Sequence, residues 1–163
     1  MKLKSLMSVA IFAVCTNLFA GGNTAFDNVM EHYEPIRLAL LEESMDGVND
    51  HGKAIAAELR ALEADFSAVH AGASGQAVGI VEEKLPEMIA AADALATAQS
   101  LEAARDGMYA LTKPMVRWRQ GVVEQDRPAV AYCSMHKRSW LQPDGEIGNP
   151  YGGMPRCGEI VSK

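Results

Sequence analysis

A mainly α-helical fold, an up-down bundle of about four helices with a loop-rich C-terminal extension containing short β-strands, is what this sequence predicts on three observations. Apolar residues recur at helical spacing along four stretches between Ala25 and Gln120. The background of those stretches is rich in alanine and charged residues, which have high helix propensity. From Arg127 onward the helical stripes stop, and prolines and glycines cluster instead.

The N-terminal stretch stands apart from that fold. Lys2 and Lys4 form a short basic region, Leu6 to Ala20 is an apolar run, and the small residues Ala20, Gly21 and Gly22 follow. This is the pattern of a secretory signal peptide over residues 1–20, with cleavage as late as residue 25 also compatible. The apolar run is short for a membrane span, and no later stretch approaches membrane length. The mature chain is therefore expected to be periplasmic and without a membrane span, with residues 25–163 as a single domain.

Each helix has its own stripe. The first carries Val29, Tyr33, Ile36 and Leu40, with Pro35 expected to bend it. The second carries Ile55, Leu59, Leu62, Phe66 and Val69, and Ala71–Gly75 then reads as a loop. The third carries Val81, Leu85, Met88, Ala92 and Leu95, with Pro86 read as marking the first turn of its regular part. Ser100 is placed to cap the fourth, which carries Leu101, Ala104, Met108, Leu111, Met115 and Trp118 and contains Pro114. Four amphipathic segments with short connections pack most simply as an up-down bundle. In the extension, residues 127–163, Val130-Ala131-Tyr132 and Glu159-Ile160-Val161 have strand character and could pair.

Charge narrows the functional classes. The whole chain carries a net charge of −6, and two of its 15 basic residues, Lys2 and Lys4, lie in the leader, so the mature charge is about −8. An acidic surface argues against nucleic acid as a partner. No nucleophile motif, phosphate loop, dinucleotide fingerprint or zinc-protease motif occurs, so an enzyme is not expected. The absence of a CxxCH attachment motif argues against heme.

Removing the leader also removes Cys15 and leaves two cysteines, both in the extension. Cys133-Ser134-Met135-His136 lies at one end and Met154-Pro155-Arg156-Cys157 at the other. Thiolate and thioether sulfur select soft ions such as Cu(I) and Ag(I) over hard cations. The proposed ligands are Cys133, Met135, Met154 and Cys157, with His136 as a weaker fifth; the cargo would be copper(I), with silver or zinc as alternatives. The competing reading is a Cys133–Cys157 disulfide that staples a helical interaction module without metal. On the residues alone the disulfide stands slightly ahead. The two states could also alternate, because ion binding and disulfide formation use the same sulfurs.

Several residues have simpler readings. Trp140 is expected as a core anchor, and Asn149, Pro150, Tyr151 and Gly152 as a turn holding the two halves in register. The methionines at 30, 88, 108 and 115 sit at core spacings. His32, His51 and His70 have no ligand partner at i+3 or i+4 and read as solvent-facing.

Tyr132-Cys133-Ser134-Met135, Trp140-Leu141, Ile147, Asn149-Pro150-Tyr151-Gly152, Met154 and Cys157-Gly158-Glu159-Ile160 together resemble a signature of a known family. It is similar to the uncharacterised periplasmic helical domain found alone or attached to copper/silver heavy-metal efflux adaptor proteins, with its YCPM, WL and NPYxGxxMxxCGE pattern. The chain departs from that pattern at Ser134, where proline is usual, and in a glycine-to-methionine spacing one residue shorter. The resemblance implies association with copper or related metals, and with an efflux adaptor or another periplasmic copper protein as partner. It moves the balance from staple to metal site.

Overall fold

A computed structural model describes residues 23–123 and 127–163, so the predicted leader, residues 1–20, and its Cys15 lie outside the described residues. The chain is mainly helical: α1 (Ala25–Leu41), α2 (Val48–Ala64), the single-turn α3 (Ala68–Ala71), α4 (Ala77–Ala96) and α5 (Leu101–Trp118). Three strands follow: β1 (Ala129–Cys133), β2 (Arg138–Gln142) and β3 (Glu159–Ser162). No helix among the described residues is long and apolar enough to cross a membrane.

Local chemistry sets the helix ends. Thr24 caps α1 in a reciprocal box: its hydroxyl accepts from Asp27 N, while its own N–H donates to an Asp27 carboxylate oxygen at 2.9 Å. Ser100 caps α5 as expected, accepting from Ala103 N at 3.2 Å. Between α1 and α2 the chain turns through Gly47 in the left-handed region (φ 74°), where a Cβ-free residue is least strained.

The four predicted stripes form the core. Val29, Tyr33, Ile36, Leu40, Ile55, Leu59, Leu62, Val81, Leu85, Met88, Ala92, Leu95, Ala104, Met108, Leu111, Met115 and Trp118 are all buried. α1 packs on α2 and α5, α2 on α4, and α4 on α5, which closes the ring of a four-helix bundle. Gly52 makes the closest approach possible, since a Cβ there would lie 2.6 Å from the Ala96 backbone nitrogen. At one end Phe26 meets Trp118 edge to face with centroids 5.4 Å apart, and the indole N–H of Trp118 donates to Ala71 O at 3.0 Å.

Three local expectations are corrected. The second stripe does not continue through Val69, which is 87% exposed. Helix α2 stops at Ala64, and Ser67 starts a new turn by accepting from His70 N, so the register of the stripe is broken there. Helix α4 begins at Ala77, nine residues before Pro86, so that proline is interior and not near a first turn. The extension holds three strands, one more than expected. The order is β2-β1-β3, all antiparallel, with Ala131 opposite Trp140 on one side and Ile160 on the other. The predicted pairing of Val130–Tyr132 with Glu159–Val161 is present.

The extension is bound into the bundle. Val130 and Leu141 belong to the bundle's own apolar core. The buried Tyr33 hydroxyl of α1 pairs with Thr112 of α5 at 2.7 Å and accepts the Leu141 N–H of β2 at 3.1 Å. One phenol thus ties two helices to the sheet.

Candidate functional site

Strand β1 ends in Cys133, whose side chain is fully buried, and Cys157 lies two residues before β3, which pairs with the same strand. The sheet therefore delivers both sulfurs to one place, and they are joined as a Cys133–Cys157 disulfide with Cα atoms 5.6 Å apart. Cys157 remains partly exposed. A small second core surrounds the bond: Ala131, Cys133, Trp140 and Tyr151, with Tyr109, Ile147, Cys157 and Ile160 against it.

Trp140 is fully buried, as its core reading predicts. Its ring lies over Gly158, where a Cβ would come within 2.6 Å of Cη2, so the residue after Cys157 has to be small. Its indole N–H donates to Gln142 Oε1 at 2.8 Å, and the same oxygen accepts Gly148 N at 3.2 Å. Gln142 is a buried hub that sequence reasoning missed, since a single glutamine between turns carries no pattern.

The Asn149–Gly152 segment is held by its own hydrogen bonds. Asn149 Oδ1 accepts Tyr151 N at 3.0 Å, and Asn149 Nδ2 donates to Met154 O at 3.1 Å. Tyr151 donates its hydroxyl to Ser139 O at 2.7 Å and meets Trp140 and His136 edge to face. Burial pushes the Tyr151 phenol well above its ordinary pKa, so it stays a neutral donor.

Two arginines of the bundle clamp this turn, and neither was singled out as a site residue. Arg37 is buried, paired with both Glu34 oxygens at 2.6 and 2.7 Å, and donates to Gly148 O at 2.7 Å. Arg105 donates to Pro150 O at 2.9 Å and Leu40 O at 3.3 Å. Gly152 (φ 84°) faces that guanidinium, and a Cβ there would lie 2.7 Å from it. Glu34, three residues before Arg37, was visible in sequence as its acid partner, but the tail carbonyl 111 residues away was not.

The remaining proposed ligands are distributed unevenly. Met135 is 70% exposed in the turn between β1 and β2, and Met154 is half-buried. His136 and Met135 line one polar cleft of about 580 Å³, together with Arg105, Arg138 and Tyr151. The Nδ1 of His136 lies 3.1 Å from Asn149 Nδ2. An amide nitrogen only donates, so Nδ1 accepts and a neutral ring carries its proton on Nε2. His136 would have to shift tautomer, and Asn149 turn its amide, before Nε2 could bind an ion. Among the described residues no three His, Cys, Asp or Glu side chains converge as a metal-binding group.

Comparison with protein families, with curated proteins and with solved structures yields no match to this chain.

Proposed function

We propose that this is an exported protein that binds a soft metal ion, Cu(I) or Ag(I), through a sulfur site that its own disulfide closes and opens. The observation that carries the reading is the placement of Cys133 and Cys157 on adjoining segments of one sheet, with Cα atoms 5.6 Å apart. Sheet pairing and the Arg37 and Arg105 clamps do not depend on the sulfur bond, so both thiols stay within reach of one ion after reduction.

The redox step is a two-electron exchange. A dithiol reductant attacks the disulfide at Cys157, the partly exposed residue of the pair, its second thiol resolves the mixed disulfide, and the reductant leaves oxidised. The two protein thiols then give up their protons as they bind the ion. Met154, whose backbone carbonyl accepts Cys157 N at 3.0 Å, and Met135 would supply thioether sulfur; His136 is the weaker candidate. Because binding releases protons, affinity falls as pH drops. Silver would share the site, whereas zinc rarely recruits methionine. The resemblance of the Cys/Met signature to the domain attached to copper/silver efflux adaptors supports the same reading and suggests such an adaptor, or another periplasmic copper protein, as the recipient.

The test is titration of the reduced mature chain with Cu(I) against a competing chelator. Binding that is lost in the Cys133→Ser/Cys157→Ser variant supports the assignment; binding unchanged by that variant refutes it.

A second reading is favoured by the bond itself and by the complete burial of Cys133: a permanently stapled helical interaction module. Thiol counting on freshly isolated protein separates the two. A pair that stays oxidised under mild dithiol treatment leaves only the staple.

A further inference from the structure

Helices α1 and α2 are neighbours in the bundle, and each carries one histidine into the seam between them. His32 and His51 are both partly buried, and their Nδ1 atoms stand 3.1 Å apart. Their ring centroids are 5.3 Å apart with planes inclined at 41°, so the rings meet through their nitrogens and not face to face. Gly47 makes room for this: a Cβ there would lie 3.3 Å from Cδ2 of His51. The left-handed turn before α2 thus leaves a gap into which the imidazole folds.

We propose that His32 and His51 form a nitrogen-donor site for a divalent transition cation of borderline softness, with zinc as the reference ion. The site is separate from the sulfur pair and does not rest on it. Two imidazole nitrogens bound to one tetrahedral zinc at 2.0–2.1 Å are about 3.3 Å apart, a few tenths of an ångström beyond the observed separation. A turn of each ring by about 35° off the line between the two nitrogens aims both lone pairs at one point beside the seam. The ion takes the place of the single proton that the two Nδ1 atoms share in its absence, and water completes the coordination. Imidazole is a preferred ligand for Zn²⁺ and Cu²⁺, whereas hard cations favour oxygen. Partial burial strengthens the ion–ligand attraction relative to a fully solvated pair. The site also links α1 to α2, so its occupancy would brace the bundle.

The experiment uses the mature chain with its disulfide intact, so that no thiolate competes, and Zn²⁺ as the probe. The imidazole C–H resonances of His32 and His51 should shift together during titration, while those of His70 and His136 stay in place. His32→Ala and His51→Ala, each checked for folding by far-UV circular dichroism, should each weaken calorimetric Zn²⁺ binding at least tenfold. Binding should also fall as pH drops, since both Nδ1 atoms must be unprotonated. The inference is overturned if Zn²⁺ does not bind at millimolar concentration, if it shifts His136 instead, or if either variant keeps its affinity within twofold. Should a variant fail to fold, the wild-type resonances decide alone. Because the protein is oxidised throughout, failure here leaves Cu(I) binding by the reduced chain untouched.

Discussion

Reducing the Cys133–Cys157 bond should cost the fold about 3.5 kcal/mol while leaving its native geometry in place. The bond closes a loop with a sequence separation of 24, and the chain-entropy relation for about 25 residues gives roughly 12 cal/mol/K, or about 3.5 kcal/mol at 25 °C. The loss belongs to the unfolded state, because the folded tail has other ties. β1 pairs with both neighbours, Leu141 N–H bonds Tyr33, and Gly148 and Pro150 carbonyls accept from Arg37 and Arg105. Urea unfolding with and without a phosphine reductant measures the difference. With a slope of about 2 kcal/mol/M, the midpoint should fall by about 2 M. The near-UV signal of Trp140 should be retained before the transition, since that ring is fully buried beside the bond. A difference below about 1 kcal/mol would refute the loop-entropy argument. Loss of the near-UV signal on reduction alone would show that the bond, and not the sheet and arginine clamps, holds the tail. In the reduced chain, added Cu(I) should restore stability by mass action, an effect absent in Cys133→Ser/Cys157→Ser.

Three further predictions follow from named contacts. Burial pushes the Tyr33 phenol up to about 12, from about 10 when unfolded, so the neutral form is held in the fold. Stability from this group is complete below pH 10 and is lost as pH rises from 10 to 12, by something on the order of 2–3 kcal/mol. Tyr33→Phe should remove its own share of the alkaline loss, leaving that of the buried Tyr151, and cost about 1–3 kcal/mol at pH 8, because the buried Leu141 N–H loses its acceptor; chemical denaturation of variant and wild type at pH 8, 10 and 11 checks both. Gly52→Ala forces a Cβ to 2.6 Å from Ala96 N and 2.8 Å from Leu95 C, both backbone atoms, so α2 and α4 must separate; a thermal scan should show a loss of about 1–3 kcal/mol, and an unchanged Tm would contradict the packing. If the leader is removed on export, the cut should fall before Thr24, because cleavage after Ala25 would delete the cap that satisfies the first turn of α1; the intact mass of the secreted chain reads this directly.

The bundle was legible because burial and periodicity coincide. Every residue of the first and third stripes is buried, and the second fails only where Asp65 and Ser67 interrupt the helix. The missed strand β2 has a physical reason. Trp140, Leu141 and Gln142 are buried in succession, so it lacks the alternation that marks a half-buried strand. The sulfur pair was legible as a pair, since two cysteines in one short extension have few partners. What no local pattern carries is contact between distant segments: Arg37 with Gly148, Arg105 with Pro150, Gln142 with Trp140, and His32 with His51. A search for i+3 or i+4 partners finds ligands on one helix and is blind to two helices lying side by side.

That blindness bears on how the two proposed sites relate. The bundle's histidine pair needs only α1 and α2 packed as they are, and no redox change. The sulfur site needs β1 and the segment leading into β3 held in register by their pairing and by groups of the bundle, Arg37 from α1 and Arg105 from α5. Its geometry is therefore set jointly by pairing within the extension and by contacts from outside it. Arg105→Ala should loosen the Asn149–Gly152 turn without touching a sulfur atom. On that reasoning it weakens Cu(I) binding in the reduced chain while leaving Zn²⁺ binding in the oxidised chain within twofold. If Arg105→Ala weakened both alike, the variant would be acting through general loss of the fold, and the separation of the two sites would not stand.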